Sequence, residues 1–310
     1  MKGHDISIVI PVYNEEENIP ILHNKVRSVM KKLNSRYEMI FVDDGSTDSS
    51  FNVLERLHRK DKNVKIIKFR GNFGQTAALN VGFKYAKNSV IVTMDADLQN
   101  DPGDIPNLLN KLKEGYDVVS GWRYNRKDPI SKVFFSNISN LLRGLITKET
   151  IHDSGCSLKA YKRECFEDLD LYGEMHRFIP TLLRWKGFKI GEVRVSHLPR
   201  KYGKSKYNYN RIFRGFADLV NAKLLMDYST RPSYLFFNIG ILNILMAIAL
   251  GLYNIFKYGL AFNVGPTLLG AVLFFIIGIQ FISFGFLGEI QAKTYYSLKK
   301  PYNIEKILEK

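Results

Sequence analysis

Val90-Ile91-Val92-Thr93-Met94-Asp95-Ala96-Asp97-Leu98-Gln99 is an apolar run that stops abruptly at two carboxylates. Five β-favouring residues carry the backbone through a core, and the acids stand where the strand leaves its sheet. In open α/β sheets that edge, outside the carboxyl ends of the strands, is where ligands bind. In a strictly extended segment Asp95 and Asp97 would share a face. Two such groups can hold a hard divalent cation, and that cation can hold a diphosphate. Acidic pairs at strand ends also serve as turn formers and helix caps, so the rest of the chain has to decide between the readings.

Upstream, Ile6-Ser7-Ile8-Val9-Ile10 reads as a buried strand closed by Pro11. Asn14, with Glu17 three residues on, carries a capping-box pattern ahead of Ile21, Leu22, Val26, Val29, Met30 and Leu33 at helical spacing. A second strand, Met39 to Val42, ends in Asp43-Asp44-Gly45-Ser46-Thr47-Asp48. A helix through Val53, Leu54 and Leu57 follows, then a strand from Val64 to Phe69, a Gly71-Asn72-Phe73-Gly74 loop and a helix from Thr76 to Ala86. Val118-Val119 begins a fifth strand. This alternation predicts an α/β class with a mostly parallel, doubly wound sheet and right-handed crossovers. On such a sheet the polar ends Pro11-Val12-Tyr13-Asn14-Glu15, Asp43-Asp44-Gly45-Ser46 and Asp95-Ala96-Asp97 fall on one edge. Each alone is ordinary turn chemistry. Their convergence is what a nucleotide pocket needs: carboxylates for base and ribose, then a metal for the phosphates. The chain has no G-x-x-x-x-G-K-[ST] and no G-x-G-x-x-G after its first strand, which argues against a P-loop ATPase and a dinucleotide-binding dehydrogenase.

The 310 residues allow one large domain or two smaller ones, and 45 basic against 30 acidic residues give a net charge of +15. That excess implies anionic partners: nucleic acid, an anionic membrane surface or phosphorylated substrates, over a background of solvated surface charge. Cys156 and Cys165 lack metal-type spacing, so neither a zinc site nor a disulfide framework is expected, and a reducing setting fits. Met1 to Asp5 is short and polar, unlike a signal peptide.

Ile10-Pro11-Val12-Tyr13-Asn14-Glu15, Val42 to Asp48 and Asp95-Ala96-Asp97 together resemble a family 2 inverting glycosyltransferase of GT-A fold. Nearly the whole chain is similar to the polyprenyl-phosphate glycosyltransferases, the dolichyl-phosphate mannose synthases and bactoprenol sugar transferases among them. The resemblance implies that Pro11, Tyr13, Glu15, Asp43 and Asp44 line the nucleotide pocket. It implies that Asp95, Asp97 and Gln99 hold Mg²⁺ or Mn²⁺ against the donor diphosphate. Arg123, Lys132 and Ser136 match the positions that grip the lipid phosphate. The family more often has Arg where Lys132 stands, so this chain would offer a point charge there without a bidentate fork.

Asp153-Ser154-Gly155-Cys156-Ser157-Leu158-Lys159-Ala160-Tyr161 resembles the family's segment beside the reacting centre, with Asp153 as its acid. A phosphate monoester has a second pKa near 6, so at pH 7 the acceptor oxygen is already largely anionic and needs positioning more than deprotonation. Asp153 is therefore read as an orienting or electrostatic residue, with base catalysis and simple turn capping left open. Glu174-Met175-His176-Arg177-Phe178-Ile179-Pro180 matches a run typical of the bactoprenol branch, in which His176 and Arg177 face the donor or serve structure. Arg200, Gly203, Ser205 and Lys206 match an R-x-x-G-x-S-K loop that closes over the diphosphate, where Arg200 and Lys206 would neutralise leaving-group charge. A solvated basic loop is the plain alternative.

Ile130, Val133, Phe134, Ile138, Leu141, Leu142, Leu145 and Ile146 form an amphipathic pattern, either core-packing or lying on a membrane surface. Ile212, Phe213, Phe216, Leu219, Val220 and Leu224 form another. Leu235 to Phe256 and Thr267 to Leu287 are apolar stretches long enough to span about 30 Å of hydrocarbon. Lys257 is the one cation between them, whereas Arg211, Arg214, Lys223 and Arg231 precede the first and Lys293, Lys299, Lys300, Lys306 and Lys310 follow the second. By the positive-inside rule both ends, and the catalytic domain, face the cytoplasm. The expected organisation is a catalytic domain over 1–208, a juxtamembrane helix over 209–231, a two-helix membrane hairpin over 232–290 and a basic tail over 291–310.

The reading is an integral membrane enzyme that moves one hexose from a nucleotide sugar to a polyprenyl phosphate. Nucleic acid is not among the expected partners, and the reading leaves room for a homo-oligomer. Within the resemblance, Asn72-Phe73-Gly74-Gln75, the Glu174 to Pro180 run and the two-helix tail lean towards the bactoprenol branch and a UDP-glucose-type donor, with GDP-mannose the near alternative. A processive polysaccharide synthase would carry Gln-x-x-Arg-Trp, but Thr181 stands in the Gln place before Arg184-Trp185. A non-catalytic membrane scaffold would not need acids at three strand ends.

Overall fold

In the computed structural model the residues described are 5–124, 151–167, 169, 171, 173–199, 220, 223–224, 227–229, 231–259 and 265–298. Lys132, Ser136, Arg200 and Lys206, and most of the two amphipathic stretches, lie outside them. The chain separates into two compact units, Met1–Ala222 and Lys223–Lys310.

The first unit alternates β1 (Ile6–Val12), α1 (Asn18–Leu33), β2 (Tyr37–Asp43), α2 (Ser50–Lys60), β3 (Val64–Lys68), α3 (Gln75–Tyr85), β4 (Val90–Thr93), α4 (Ile105–Lys113) and β5 (Val118–Arg123). It continues with β6 (Lys159–Lys162), α5 (Ile179–Trp185) and β7 (Ile190–Val195). Short 3₁₀ turns stand at Pro102–Asp104, Arg163–Phe166 and Met175–Phe178. The sheet order is β3-β2-β1-β4-β6-β5-β7. β1 runs parallel to β2 and β4, and β2 parallel to β3, so Val12, Asp43 and Thr93 end on one edge. Ile6, Ile8, Ile10, Met39, Phe41 and Val92 are wholly buried, which is why these strands read as unbroken apolar runs. Each such large side chain contributes about 1.5–3 kcal/mol relative to exposure.

Three expectations change in detail. The sheet is mixed: β6 runs antiparallel between β4 and β5, so β5 pairs with β6 and with β7 and not with β4. Four-residue β6 has no apolar alternation to announce it. The capping box at Asn14 does not form, because Asn14 adopts φ +59° and α1 begins four residues later, at Asn18. Its side chain instead accepts from the Thr47 N–H at 2.8 Å, tying the loop after β1 to the loop after β2. Pro11 lies inside β1, opposite Val42, but beyond Val9, where the β4 ladder stops.

The second unit holds α6 (Ser233–Tyr258) and α7 (Pro266–Leu298), both long and apolar enough to cross a membrane. At about 1.5 Å per residue their 26 and 33 residues reach roughly 39 and 50 Å. They approach closely at Gly240 and Gly278, where a Cβ on either would meet the other's carbonyl oxygen at 2.8–2.9 Å. Phe237 meets Phe286 edge-on at 5.0 Å between ring centroids. Leu242, Leu245, Leu252 and Phe256 face outwards, an arrangement suited to hydrocarbon and costly in water.

Candidate active site

The loops after β1 and β2 are laced together by backbone donors and short polar side chains. Asn14 N–H donates to Ser46 Oγ at 3.0 Å, Glu15 N–H to Ser50 Oγ at 2.8 Å, and Ser49 N–H to Glu16 at 2.8 Å. Asn18 Nδ2 donates to Glu15 at 2.6 Å. Pro11, Tyr13 and Glu15 are half-buried along this seam. Asp43 is fully buried: Oδ1 accepts from Ser46 N–H at 3.0 Å, while buried Oδ2 has no hydrogen-bond partner among the described residues. An unpartnered carboxylate oxygen at a strand end suits a ligand donor such as a nucleoside N–H or hydroxyl. Asp44 accepts from Phe73 N–H at 2.7 Å and Gly74 N–H at 2.9 Å, so it clamps the loop before α3. Burial and the Asp43 charge raise its pKa despite these two bonds. Gly45 completes the clamp, with φ +70° and a would-be Cβ only 2.5 Å from the Gly71 backbone. No other residue fits there.

Asp95 and Asp97 are not in an extended segment. The β4 ladder ends at Thr93 and the chain turns, with Leu98 at φ +62°. The turn leaves Asp97 buried and Asp95 partly so. Asp95 accepts from Gln75 Nε2, at the start of α3, at 2.7 Å. Asp97 accepts from Gln99 N–H at 3.1 Å, which orients the carboxylate. Gln99 C=O accepts from Leu198 N–H at 2.9 Å, and Asn100 bridges to His197.

Arg123, the last residue of β5, holds Asp153 in a two-bond fork: Nε to Oδ2 at 2.7 Å and Nη2 to Oδ1 at 3.0 Å. The Arg123 N–H donates to the same carboxylate at 3.2 Å. Behind the fork, Glu192 of β7 accepts from the N–H groups of His152 and Asp153 and pairs with His152 Nδ1 at 2.8 Å. His152 in turn stacks on Trp122 at 4.4 Å. Ser157 joins this cluster to the acid pair: its Oγ accepts from Asp95 N–H at 3.2 Å and from Asn100 Nδ2 at 2.7 Å. The structure thus brings Asp95, Asp97, Gln99, Arg123 and Asp153 into one connected region. Thr76, beside Gln75, bonds His176 Nδ1 at 2.7 Å, which carries the Glu174 to Pro180 run to the same helix end. Arg177 pairs with Glu174 at 3.2 Å.

The family model for glycosyl transferase family 2 matches residues 7–170, the span that contains every one of these strand ends. The chain belongs to that family. A dodecaprenyl-phosphate galacturonate synthase of Rhizobium johnstonii is 39% identical over 301 residues, covering 94% of this chain and 89% of that one. An undecaprenyl-phosphate 4-deoxy-4-formamido-L-arabinose transferase of Proteus mirabilis is 35% identical over 317 residues, covering 99% and 95%. Glucosyl-3-phosphoglycerate synthase of Mycobacterium tuberculosis, solved with Mn²⁺, uridine diphosphate and phosphoglyceric acid, shares the fold at TM-score 0.56 and 18% identity. That match covers 72% of this chain and 78% of that one. The GT-A architecture implied by the strand-end motifs is the one observed.

The electrostatics of this family 2 glycosyltransferase bear on a metal. Burial and the neighbouring Asp97 charge push Asp95 up to about 6, against Ser157, Lys159 and Arg123, which favour its ionised form. Two acids so placed carry a charge deficit that a cation relieves, and the site fits one. Among the described residues no group of three or more His, Cys, Asp and Glu side chains gathers. The protein would then supply the Asp95 and Asp97 carboxylates, joined in the resemblance by Gln99, and leave the remaining positions to substrate oxygens and water, the usual arrangement for Mg²⁺. Gln75, Ser157, Asn100 and Lys159 were not singled out from the sequence as site residues. Ser157 and Lys159 lie inside the quoted Asp153 to Tyr161 motif, but only the sheet pairing shows what they touch.

Proposed function

We propose that this chain transfers a single sugar from a UDP-sugar to the phosphate of a polyprenyl phosphate, with inversion at the anomeric carbon. The observation that carries the reading is the link from the Arg123–Asp153 fork through Ser157 to Asp95, a cationic group and an acid pair in one framework. The two relatives, both polyprenyl-phosphate sugar transferases, support the lipid phosphate as acceptor. They also widen the donor from the glucose type to a uronic acid or a formamido-arabinose.

In this reading Pro11, Tyr13, Glu15, Asp43 and Asp44 receive the nucleoside. Asp95 and Asp97, with Gln99, hold Mg²⁺ or Mn²⁺. When bound, the cation would offset charge on the departing diphosphate. Arg200 and Lys206 add positive charge on that side, and Arg123, Lys132 and Ser136 seat the acceptor phosphate. An acceptor oxygen forms a bond to the anomeric carbon as the bond to the donor phosphate oxygen breaks, its electron pair leaving with the nucleoside diphosphate. Asp153, both of whose oxygens already accept from Arg123, holds that guanidinium in place and is not assigned a proton transfer. We place the catalytic domain over 1–208, a juxtamembrane helix over 209–231, the hairpin over 232–290 and a tail over 291–310, with both ends in the cytoplasm. The lysine and arginine bias around α6 and α7 supports that orientation.

The test is transfer of labelled sugar into a lipid fraction by the purified full chain with Mn²⁺ and a short polyprenyl phosphate. UDP-glucose, UDP-galacturonate, UDP-4-deoxy-4-formamido-L-arabinose and GDP-mannose are assayed separately, with Asp97→Ala as control. Label from a UDP-sugar that disappears in the control is expected. Label only from GDP-mannose would overturn the donor assignment. Donor hydrolysis without labelled lipid would overturn the acceptor assignment.

A further inference from the structure

Lys159 opens β6 in the middle of the sheet, opposite Thr93 of β4 and Ser120 of β5. It is 5% exposed. A lysine at such a position needs hydrogen-bond partners for its ammonium, because burial favours the neutral form. Its Nζ donates to two backbone carbonyls, those of Ser154, at 3.0 Å, and of Cys156. Neither belongs to a sheet ladder. Both belong to the segment that connects the two halves of the site.

At the start of that segment Asp153 takes Arg123 in its fork. At its end Ser157 accepts from the Asp95 N–H through Oγ, and from Thr93 Oγ1 at 2.8 Å through its carbonyl. Between these anchors the segment turns at Ser154–Gly155 and contributes no strand hydrogen bonds. The lysine, beside a weaker contact of Cys156 Sγ with Asn100 Oδ1 at 3.6 Å, thus tethers the middle of the segment.

We infer that Lys159 is a positioning residue: by holding the Ser154 and Cys156 carbonyls it fixes the segment that spaces Arg123 from Asp95. This rests on the proposed sugar transfer, in which the acceptor phosphate meets Arg123 and the donor diphosphate meets Asp95. A shift of about 1 Å between two reacting groups lowers a rate by about 100-fold. Asp43 and Asp44 stand at the end of β2, two strands from β4 in the sheet, so binding of metal-free UDP there does not depend on the tether.

The experiment compares Lys159→Met, which keeps length and apolar volume but no donor, with Lys159→Arg, which keeps both charge and donors. Each full-length protein is assayed for kcat, for KM of donor and acceptor, and for binding of metal-free UDP by calorimetry. For Lys159→Met we expect kcat to fall about 100-fold, with the affinity for metal-free UDP held within about threefold, and Lys159→Arg to recover at least tenfold of the loss. Unchanged kcat in Lys159→Met would overturn the inference. So would kcat and UDP affinity falling together, the mark of a merely structural residue, or Lys159→Arg recovering nothing. If Lys159→Met fails to fold, Ser157→Ala, which releases the segment's other anchor, must show the same split or the inference falls. A parent protein that binds UDP yet labels no lipid from any donor would instead overturn the underlying function.

Discussion

Replacing Asp153 by asparagine should unsettle this protein far more than a surface exchange of the same kind. Asp153 is 2% exposed and accepts three hydrogen bonds from Arg123, two from the guanidinium and one from the backbone N–H. Asparagine keeps the shape and one acceptor oxygen, but turns an NH₂ group towards a guanidinium that can only donate. Hydrogen bonds to charged groups contribute about 1.5–3 kcal/mol each, and stranding one member of a buried ion pair costs about 3–5 kcal/mol. Arg123 retains some solvent access, with 18% side-chain exposure, so the low end applies and we expect a loss of about 3 kcal/mol. For a domain of this size that is about 6–12 °C in Tm. Thermal unfolding of the detergent-solubilised chain can be followed by the fluorescence of Trp122, which stacks on His152 next to the fork. Combining Asp153→Asn with Arg123→Met should recover at least about 2 kcal/mol of the summed single losses, because the stranded charge is gone. Single losses that simply add to within about 0.5 kcal/mol would refute the fork as a coupled pair.

The acid pair has a pH signature. Asp95 has its folded pKa raised from 3.8 to about 6, so the folded state binds the proton more tightly than the unfolded chain. The resulting penalty on folding is absent below about 3.8, grows between there and about 6, and is complete above 6. Metal-free Asp95→Asn should therefore be more stable than the parent at pH 7.5, by about 1–3 kcal/mol, and level with it at pH 4. Equal urea midpoints at both pH values would remove this account. Mn²⁺ protection of the parent against heat should fade as pH falls through about 6, where the carboxylate is lost. Gly45→Ala should lose about 3 kcal/mol or more, since it combines φ +70° with a Cβ 2.5 Å from the Gly71 backbone. Its UDP affinity should drop as the Asp44 clamp on Phe73 and Gly74 shifts, and a calorimetric titration matching the parent's would contradict that.

Much of the parallel half of the sheet was legible because β1, β2 and β4 are buried on both faces, which writes unbroken apolar runs into the chain. Their polar ends were legible as a shared edge because parallel strands joined by right-handed crossovers leave that choice no freedom. β6 and β7 were not announced. The first is four residues with a lysine at its start, and the second, Ile190–Val195, is a sheet edge in which Val195 is buried but most other positions are partly or wholly exposed. The capping box at Asn14 failed for a non-local reason: its carboxamide bonds across to Thr47, a partner 33 residues away that no short window contains.

The sequence by itself determined the α/β class, the three acidic strand ends and the two long apolar helices, because periodicity, burial and turn chemistry act over neighbouring residues. It also carried the family, through motifs short enough to read in place. Tertiary structure alone decided that Arg123 is committed to Asp153, that Asp95 rests on Gln75 and Ser157, and that a buried lysine tethers the segment between them. Those pairings depend on an antiparallel strand inserted between two others, and hydrogen-bond partners across a sheet are fixed by register, not by proximity along the chain.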